Sequence, residues 1–285
     1  MEKKQNQQDV RIAVLIDADN ISHHYIKGMM EEIARYGNPT IKRIYGDWTK
    51  PNLSGWKNHL LDYAISPVQQ FSYTTGKNAT DSAMTIDAMD ILFSETVDAF
   101  CLVSSDSDFT KLATRLRESG KTVYGIGEEK TPNPFIAACD RFIYLEILDE
   151  DEEESDNDLS GTESANDKDK VRKSTTATKT GFTKTAKKKR ALQNLNRKTI
   201  AFITQTIKDV EDENGWAYLG EVGSLLVKKQ PSFDPRNFGF NKLTNMLESI
   251  DQVELDLRDA NIGAPNSKHV YVRVKSVNKS RTTHF

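Results

Sequence analysis

The stretch RIAVLIDADN, residues 11–20, decides how the rest of the chain reads. Arg11–Ile16 is an apolar run of strand length that stops abruptly at Asp17, with Asp19 two residues on. Outward from it, Thr40–Trp48, Val68–Tyr73, Ala99–Ser104, Thr122–Gly127 and Phe142–Leu145 give further strand signals. Helical spacing fills the gaps, at Tyr25–Tyr36, Gly55–Ala64, Asp81–Phe93, Asp108–Ser119 and Pro134–Ala138. Apolar strands alternating with helices predict an α/β domain over residues 9–148, with a parallel sheet covered on both faces. Ligands of such sheets bind beyond the carboxyl ends of the strands.

Beyond residue 148 the grammar changes. DEDEEESDND, residues 149–158, holds eight carboxylates in ten positions, and KTAKKKR, residues 184–190, is basic. From Ser155 to Ala191 the only large apolar residues are Leu159, Val171 and Phe182, too few to offset chain entropy, so 149–190 reads as a disordered, solvated tether. Residues 191–276 read as a small α+β winged helix. Its helices are expected at Ala191–Val210, Leu219–Lys229 and Asn237–Ile250, and its closing hairpin at Val253–Arg258 and Val270–Lys275.

The net charge of −3 hides an asymmetry. Residues 9–148 carry 14 Lys+Arg against 19 Asp+Glu, a net of −5, whereas residues 191–285 carry 13 against 11, a net of +2. The acidic domain suits a site for cations, and the basic one is the better candidate for touching a polyanion. The opening MEKKQNQQ lacks the apolar core of a signal peptide, and no run approaches the length of a membrane helix. Cys101 and Cys139 lie in apolar contexts without ligand spacing. A cytoplasmic protein without a membrane partner is the expectation.

The chemical signal is the placement of aspartates. Asp17 and Asp19 follow one strand and Asp106 and Asp108 another, so the two clusters meet at one rim if both strands are central and parallel. Asp81 opens a helix that approaches the same rim. Crowded carboxylates repel unless they are protonated or neutralised by cations. Oxygen donors without His or Cys favour Mg²⁺ or Mn²⁺, and such an ion activates water for attack on a phosphodiester. Each aspartate also has a plainer account: Asp108 or Asp106 as a helix N-cap, and Asp81 as a partner of a helix dipole. Asp87 lies about 240° round the helix from Asp81 and is a weaker ligand candidate. Asn20 either fixes Asp17 or a phosphate, or caps the next helix. Lys77 either meets a phosphate or is a solvated loop lysine. TTGKNAT is no P-loop, because Phe71 stands where the first glycine belongs.

Three separated stretches, VLIDADNIS, TGKNATDSAMTIDAMD and LVSSDSDFTKLATRLRESGKTVYGIG, resemble the NYN domain family, a branch of the PIN-like nucleases. The resemblance covers about residues 9–147 and implies a three-layer α/β/α sandwich that cleaves RNA with Mg²⁺ or Mn²⁺. It implies that Asp17, Asp81, Asp106 and Asp108 form the acidic metal cluster, with Asn20 beside it and Asp87 at another commonly acidic position. One departure is Ser105, where the family often has glycine. FDPRNFGFNKLTNMLESI and the strands ending HVYVRVK resemble an OST-type helix-turn-helix, or LOTUS, domain. That likeness implies RNA or protein binding, with Arg236, Asn237, Lys242 and Lys268 as candidate backbone contacts. Phe233, Phe238, Phe240 and Leu243 read as core.

The leading expectation is a single-strand-directed endoribonuclease with no covalent nucleophile. Two alternatives stand beside it. LIDADN also resembles the opening of haloacid-dehalogenase-like phosphatases, in which Asp17 would be a nucleophile. The other is a non-catalytic RNA-binding regulator with a vestigial acidic site.

Overall fold

The structure is a computed structural model that describes residues 9–71, 79–148, 193–259 and 268–275. The segment expected as a tether, 149–190, and the candidate Lys77 lie outside the described residues.

Six parallel strands form the first domain: β1 (Arg11–Asp17), β2 (Asn38–Gly46), β3 (Ser66–Gln69), β4 (Ala99–Val103), β5 (Thr122–Gly127) and β6 (Arg141–Tyr144). Their order across the sheet is β3-β2-β1-β4-β5-β6. The chain therefore winds outward one way through β1, β2 and β3, returns to the centre, and winds the other way through β4, β5 and β6. The reversal falls between β1 and β4, which pair from Ile12–Ala99 to Ile16–Val103. A crevice opens beyond the carboxyl ends of strands at such a switch point.

Helices α1 (Ile26–Ala34), α2 (Trp56–Asp62), α3 (Ala79–Phe93), α4 (Thr110–Glu118) and α5 (Asn133–Ala138) cover the sheet. Strand periodicity sorts them into two layers. Ala13 and Leu15 of β1 pack with Met84, Leu112 and Phe135, from α3, α4 and α5. Ile12, Val14 and Ile16 pack on the opposite face with Ile26, Met29, Ile33 and Trp56, from α1 and α2. The result is the expected three-layer α/β/α sandwich. The third strand begins at Ser66, two residues before the sequence expectation, and ends at Gln69.

The second domain contains α6 (Arg197–Lys208), β7 (Ala217–Tyr218), α7 (Leu219–Lys229), α8 (Leu243–Glu248), β8 (Val253–Asp259) and β9 (Lys268–Val274). Its antiparallel sheet has the order β7-β9-β8. Helix α6 starts later than expected because Asn196 caps it, accepting from the Lys198 and Thr199 N–H groups. The single helix expected over Asn237–Ile250 is broken. A 3₁₀ turn over Pro235–Phe238 ends at Gly239, whose φ of 80° is left-handed, and α8 begins only at Leu243. Glycine adopts that conformation at little cost, so it stops the turn cleanly.

The two domains touch through a network of buried charge. Glu32, near the end of α1, is 2% exposed. It accepts from Nη1 and Nη2 of Arg236, both at 2.9 Å, from Tyr36 Oη at 2.6 Å and from Arg35 at 2.9 Å. Asp234 accepts from Arg236 at 2.8 and 3.0 Å and from Arg141 at 3.3 Å. The Arg141 guanidinium also lies over the Tyr36 ring, and the Phe142 N–H of edge strand β6 donates to the Pro231 carbonyl at 2.9 Å. Burial opposes the charge on Glu32 and Asp234, yet the hydrogen bonds and charge of Arg236 outweigh it and hold both carboxylates below their usual range. Arg141 opens β6 and Glu32 lies late in α1, so the second domain touches the first toward the amino ends of the strands.

Candidate metal centre

β1 ends at Asp17 because its apolar run stops there, and the aspartate is fully buried. Among the described residues three donors hold it. Asp19 N–H reaches Oδ1 at 3.1 Å, while Asn20 Nδ2 and Ser104 Oγ reach Oδ2 at 2.5 and 2.9 Å. Burial raises the Asp17 pKa above the ordinary carboxylate value despite these bonds. Ser104 follows β4 and also accepts the Asp106 N–H at 3.1 Å, so one hydroxyl joins the two strand ends across the switch point.

Asp106 adopts extended backbone and caps the turn that leads into α4, accepting the Asp108 N–H at 2.9 Å. The capping role and the acidic cluster therefore coexist in one residue. Asp81 enters from the first turn of α3, which crosses between β3 and β4. Carboxylate oxygens of Asp81, Asp106 and Asp108 all lie within 4.8 Å of one another. The Asp81 carboxyl is pushed up to about 6, first by burial and then by the charges of Asp17, Asp106, Asp108 and Asp19. A negative field of that strength from an all-oxygen donor set fits a hard divalent cation.

Of the four expected ligands, the structure thus brings three into one group and sets Asp17 beneath them, caged and coupled by charge. Asn20 fixes Asp17. Asp87 faces away: it binds Arg43 and the Tyr45 hydroxyl of β2, and so it ties α3 to the sheet instead of joining the cluster. Ser105, the departure from the family pattern, accepts the Glu128 N–H at 2.9 Å and ties the loop to the end of β5.

The expected contacts of the second domain divide. Lys242 and Lys268 are exposed. Arg236 is committed to Glu32 and Asp234, and Asn237 is 1% exposed with Nδ2 donating to the Ser232 carbonyl at 2.8 Å. Those two expectations are corrected: neither side chain is presented to a phosphate in the docked arrangement.

Two neighbours of the cluster stand outside the expected site residues. Ser104 bridges Asp17 and Asp106, and its signal was a lone hydroxyl closing an otherwise apolar strand. Asp19, quoted in the first run but not carried into the ligand set, accepts from Thr80 Oγ1 at 2.9 Å and so reaches the start of α3.

A three-layer sandwich with an acidic switch-point rim, followed by a winged helix, defines the class of molecule. The NYN domain family matches residues 11–146, and the OST-HTH/LOTUS domain family matches residues 184–261. The chain carries both domains, in that order. NYN domains belong to the PIN-like nuclease superfamily, whose members typically use divalent metals, and this points to nuclease-like, RNA-related work. An uncharacterized protein of Methanocaldococcus jannaschii is 28% identical over 123 residues, covering 42% of this chain and 48% of its own. The chain thus spans about half the length of that curated relative. A solved protein of unknown function from Vibrio parahaemolyticus is 21% identical, covering 48% of this chain and 94% of its own, with a TM-score of 0.40. An uncharacterized protein from Nitrosomonas europaea is 25% identical, covering 36% of this chain and 94% of its own, with a TM-score of 0.28. Among the described residues no helix is long and apolar enough to cross a membrane.

Proposed function

We propose that the chain is a metal-dependent endoribonuclease acting on single-stranded RNA, with its second domain supplying further contact to RNA. The observation that carries this reading is the meeting of Asp81, Asp106 and Asp108 oxygens within 4.8 Å at the rim. Asp81, Asp106 and Asp108 would hold Mg²⁺ or Mn²⁺, and Asp17 would add its charge from below. Bound there, the ion would polarise a phosphodiester and acidify a water. The chain's own residues set the geometry. Ser104 and Asn20 fix Asp17, the Asp108 N–H fixes Asp106, and the Asp19–Thr80 bond holds the start of α3 against β1.

The test is incubation of the purified chain, and of Asp106→Asn, with labelled single-stranded RNA in EDTA, Mg²⁺ or Mn²⁺. Asparagine can still cap the turn, so the fold is expected to stand. Metal-dependent cutting that disappears in the variant supports the proposal. Wild-type turnover by Asp106→Asn sinks the mechanism, and RNA that is bound but left whole favours the non-catalytic regulator.

A further inference from the structure

We infer that the outer face of the β7-β9-β8 sheet is a stacking platform for single-stranded RNA. This rests on the reading of the chain as an RNA-processing protein. The register sorts the sheet's two faces. Ala217, Val272 and Leu255 pair across one row, and Ala217 and Val272 are buried in the domain core. The adjacent row pairs Tyr218, Tyr271 and Asp256, and so faces the other way.

On that outer face the rings and guanidiniums touch in a continuous strip. Tyr218 is 38% exposed and lies 5.4 Å from His269, edge-on, and 5.9 Å from Tyr271. The Arg258 guanidinium lies 4.3 Å from the Tyr271 ring centroid and 4.9 Å from that of Trp216, which Arg273 approaches at 4.5 Å. Asp256 and Glu254 hold the edges of Arg258 and Arg273 at 2.9 Å. Past Arg273 the strip runs into a groove of about 900 Å³ that contains Lys208 and Lys275.

Every base has a π-face, so aromatic and guanidinium planes spread on a sheet accept successive bases with little regard to sequence. Between α7 and α8, Arg236 and Pro231 are already engaged with the first domain, which favours the sheet face over that segment as the contact for a single strand. Since Asp256 and Glu254 pair the two arginines, affinity comes mainly from stacking, and Lys208 and Lys275 meet the backbone. Binding should therefore depend only weakly on salt, with a slope of about one or two phosphates.

The experiment measures anisotropy of a labelled oligouridine of about twelve nucleotides, in EDTA, with the full chain, Tyr218→Ala and Tyr218→Phe, against a duplex of equal length. Loss of one stacking ring is expected to weaken oligouridine binding about tenfold, with Phe restoring it to within about threefold and duplex binding unchanged. A cross-strand ring contact that is only structural would lower the melting temperature of Tyr218→Ala and leave its oligouridine affinity intact, which would overturn the inference. If Tyr218→Ala fails to fold, 4-thiouridine crosslinking to the wild-type chain decides. Crosslinks on Trp216, Tyr218 or Tyr271 peptides support the platform, and crosslinks confined to other peptides overturn it. Cleavage with an unchanged Tyr218→Ala affinity refutes the platform alone. Tyr218-dependent binding without cleavage refutes the nuclease reading alone.

Discussion

Replacing Arg236 with alanine removes four side-chain hydrogen bonds, two to Glu32 and two to Asp234, and leaves two buried carboxylates without their shared cation. Removing one partner from a buried pair costs about 3–5 kcal/mol. The retained partners set the effect near the lower end. Glu32 keeps Tyr36 and the largely exposed Arg35, and Asp234 keeps Arg141. Undocking lets water reach both carboxylates, so the loss of roughly 3 kcal/mol should shift the docking equilibrium by about two powers of ten. Small-angle scattering and energy transfer between dyes on the two domains should report a more extended chain. The same contacts carry a sign in pH. Both carboxylates are held below their ordinary values when docked, so the stabilisation is present at neutral pH. It is lost as pH falls through those lowered values. The Glu32→Gln, Arg236→Ala double variant should lose less than the sum of the single ones, because both act on the same bonds. An Arg236→Ala chain with unchanged inter-dye distance and melting temperature would refute the account of a charge-locked interface.

Other outcomes follow from the acidic rim. Asp81, raised to about 6, resists ionisation in the metal-free fold. Its folded value lies above its unfolded one, so metal-free stability should rise as pH drops from 7 toward 4. Asp81→Asn should accordingly stabilise the metal-free fold at pH 7 by on the order of 1 kcal/mol after solvent screening, seen as a higher melting temperature, while abolishing the stabilisation by Mn²⁺; calorimetry that shows a lower melting temperature would contradict this. In the wild type, Mn²⁺ at a hundredfold its Kd should stabilise by about 2.7 kcal/mol, an increment that Asp106→Asn should lose. Asp87→Ala severs the contacts with Arg43 and Tyr45 and should cost about 1–3 kcal/mol of stability without changing the Mn²⁺ affinity. A weakened Mn²⁺ site in that variant would return Asp87 to the cluster.

What could be read in the sequence was whatever local pattern fixes. Strand β1 is apolar on both faces and ends in a carboxylate, so its depth in the sheet and its rim position follow from six residues. Asp106 and Asp108 could be placed at the same rim because each strand carries its own end with it. The helical offset between Asp81 and Asp87 separated a rim residue from one that turned out to face β2. Contacts between distant segments have no such signature. Glu32 and Arg236 lie 204 residues apart, and nothing near either announces the other. Arg236 reads as a candidate backbone contact because it lies in the stretch that carries the LOTUS resemblance. Only the docked face, which depends on how two folded surfaces fit, reassigns it. Gly239 lies inside the helix expected over Asn237–Ile250, and its left-handed backbone is set by how the turn before it packs, which apolar spacing does not encode.

The arrangement of Asp17 adds a step that no ligand list contains. A fully buried carboxylate is expensive unless it is hydrogen-bonded, and Asp17 accepts three hydrogen bonds yet still has a raised pKa. Those bonds fix its direction more than they ease its charge. The charge propagates upward, since Asp17 is the first of the acidic neighbours that raise Asp81. A carboxylate in that position makes the rim electrostatically unfavourable when empty of cations and favourable when one is present. The buried carboxylate beneath the cluster and the rim carboxylates above it therefore occupy different environments. The sequence assigns the same residue type to both, and only the burial of Asp17 under Ser104 and Asn20 separates them.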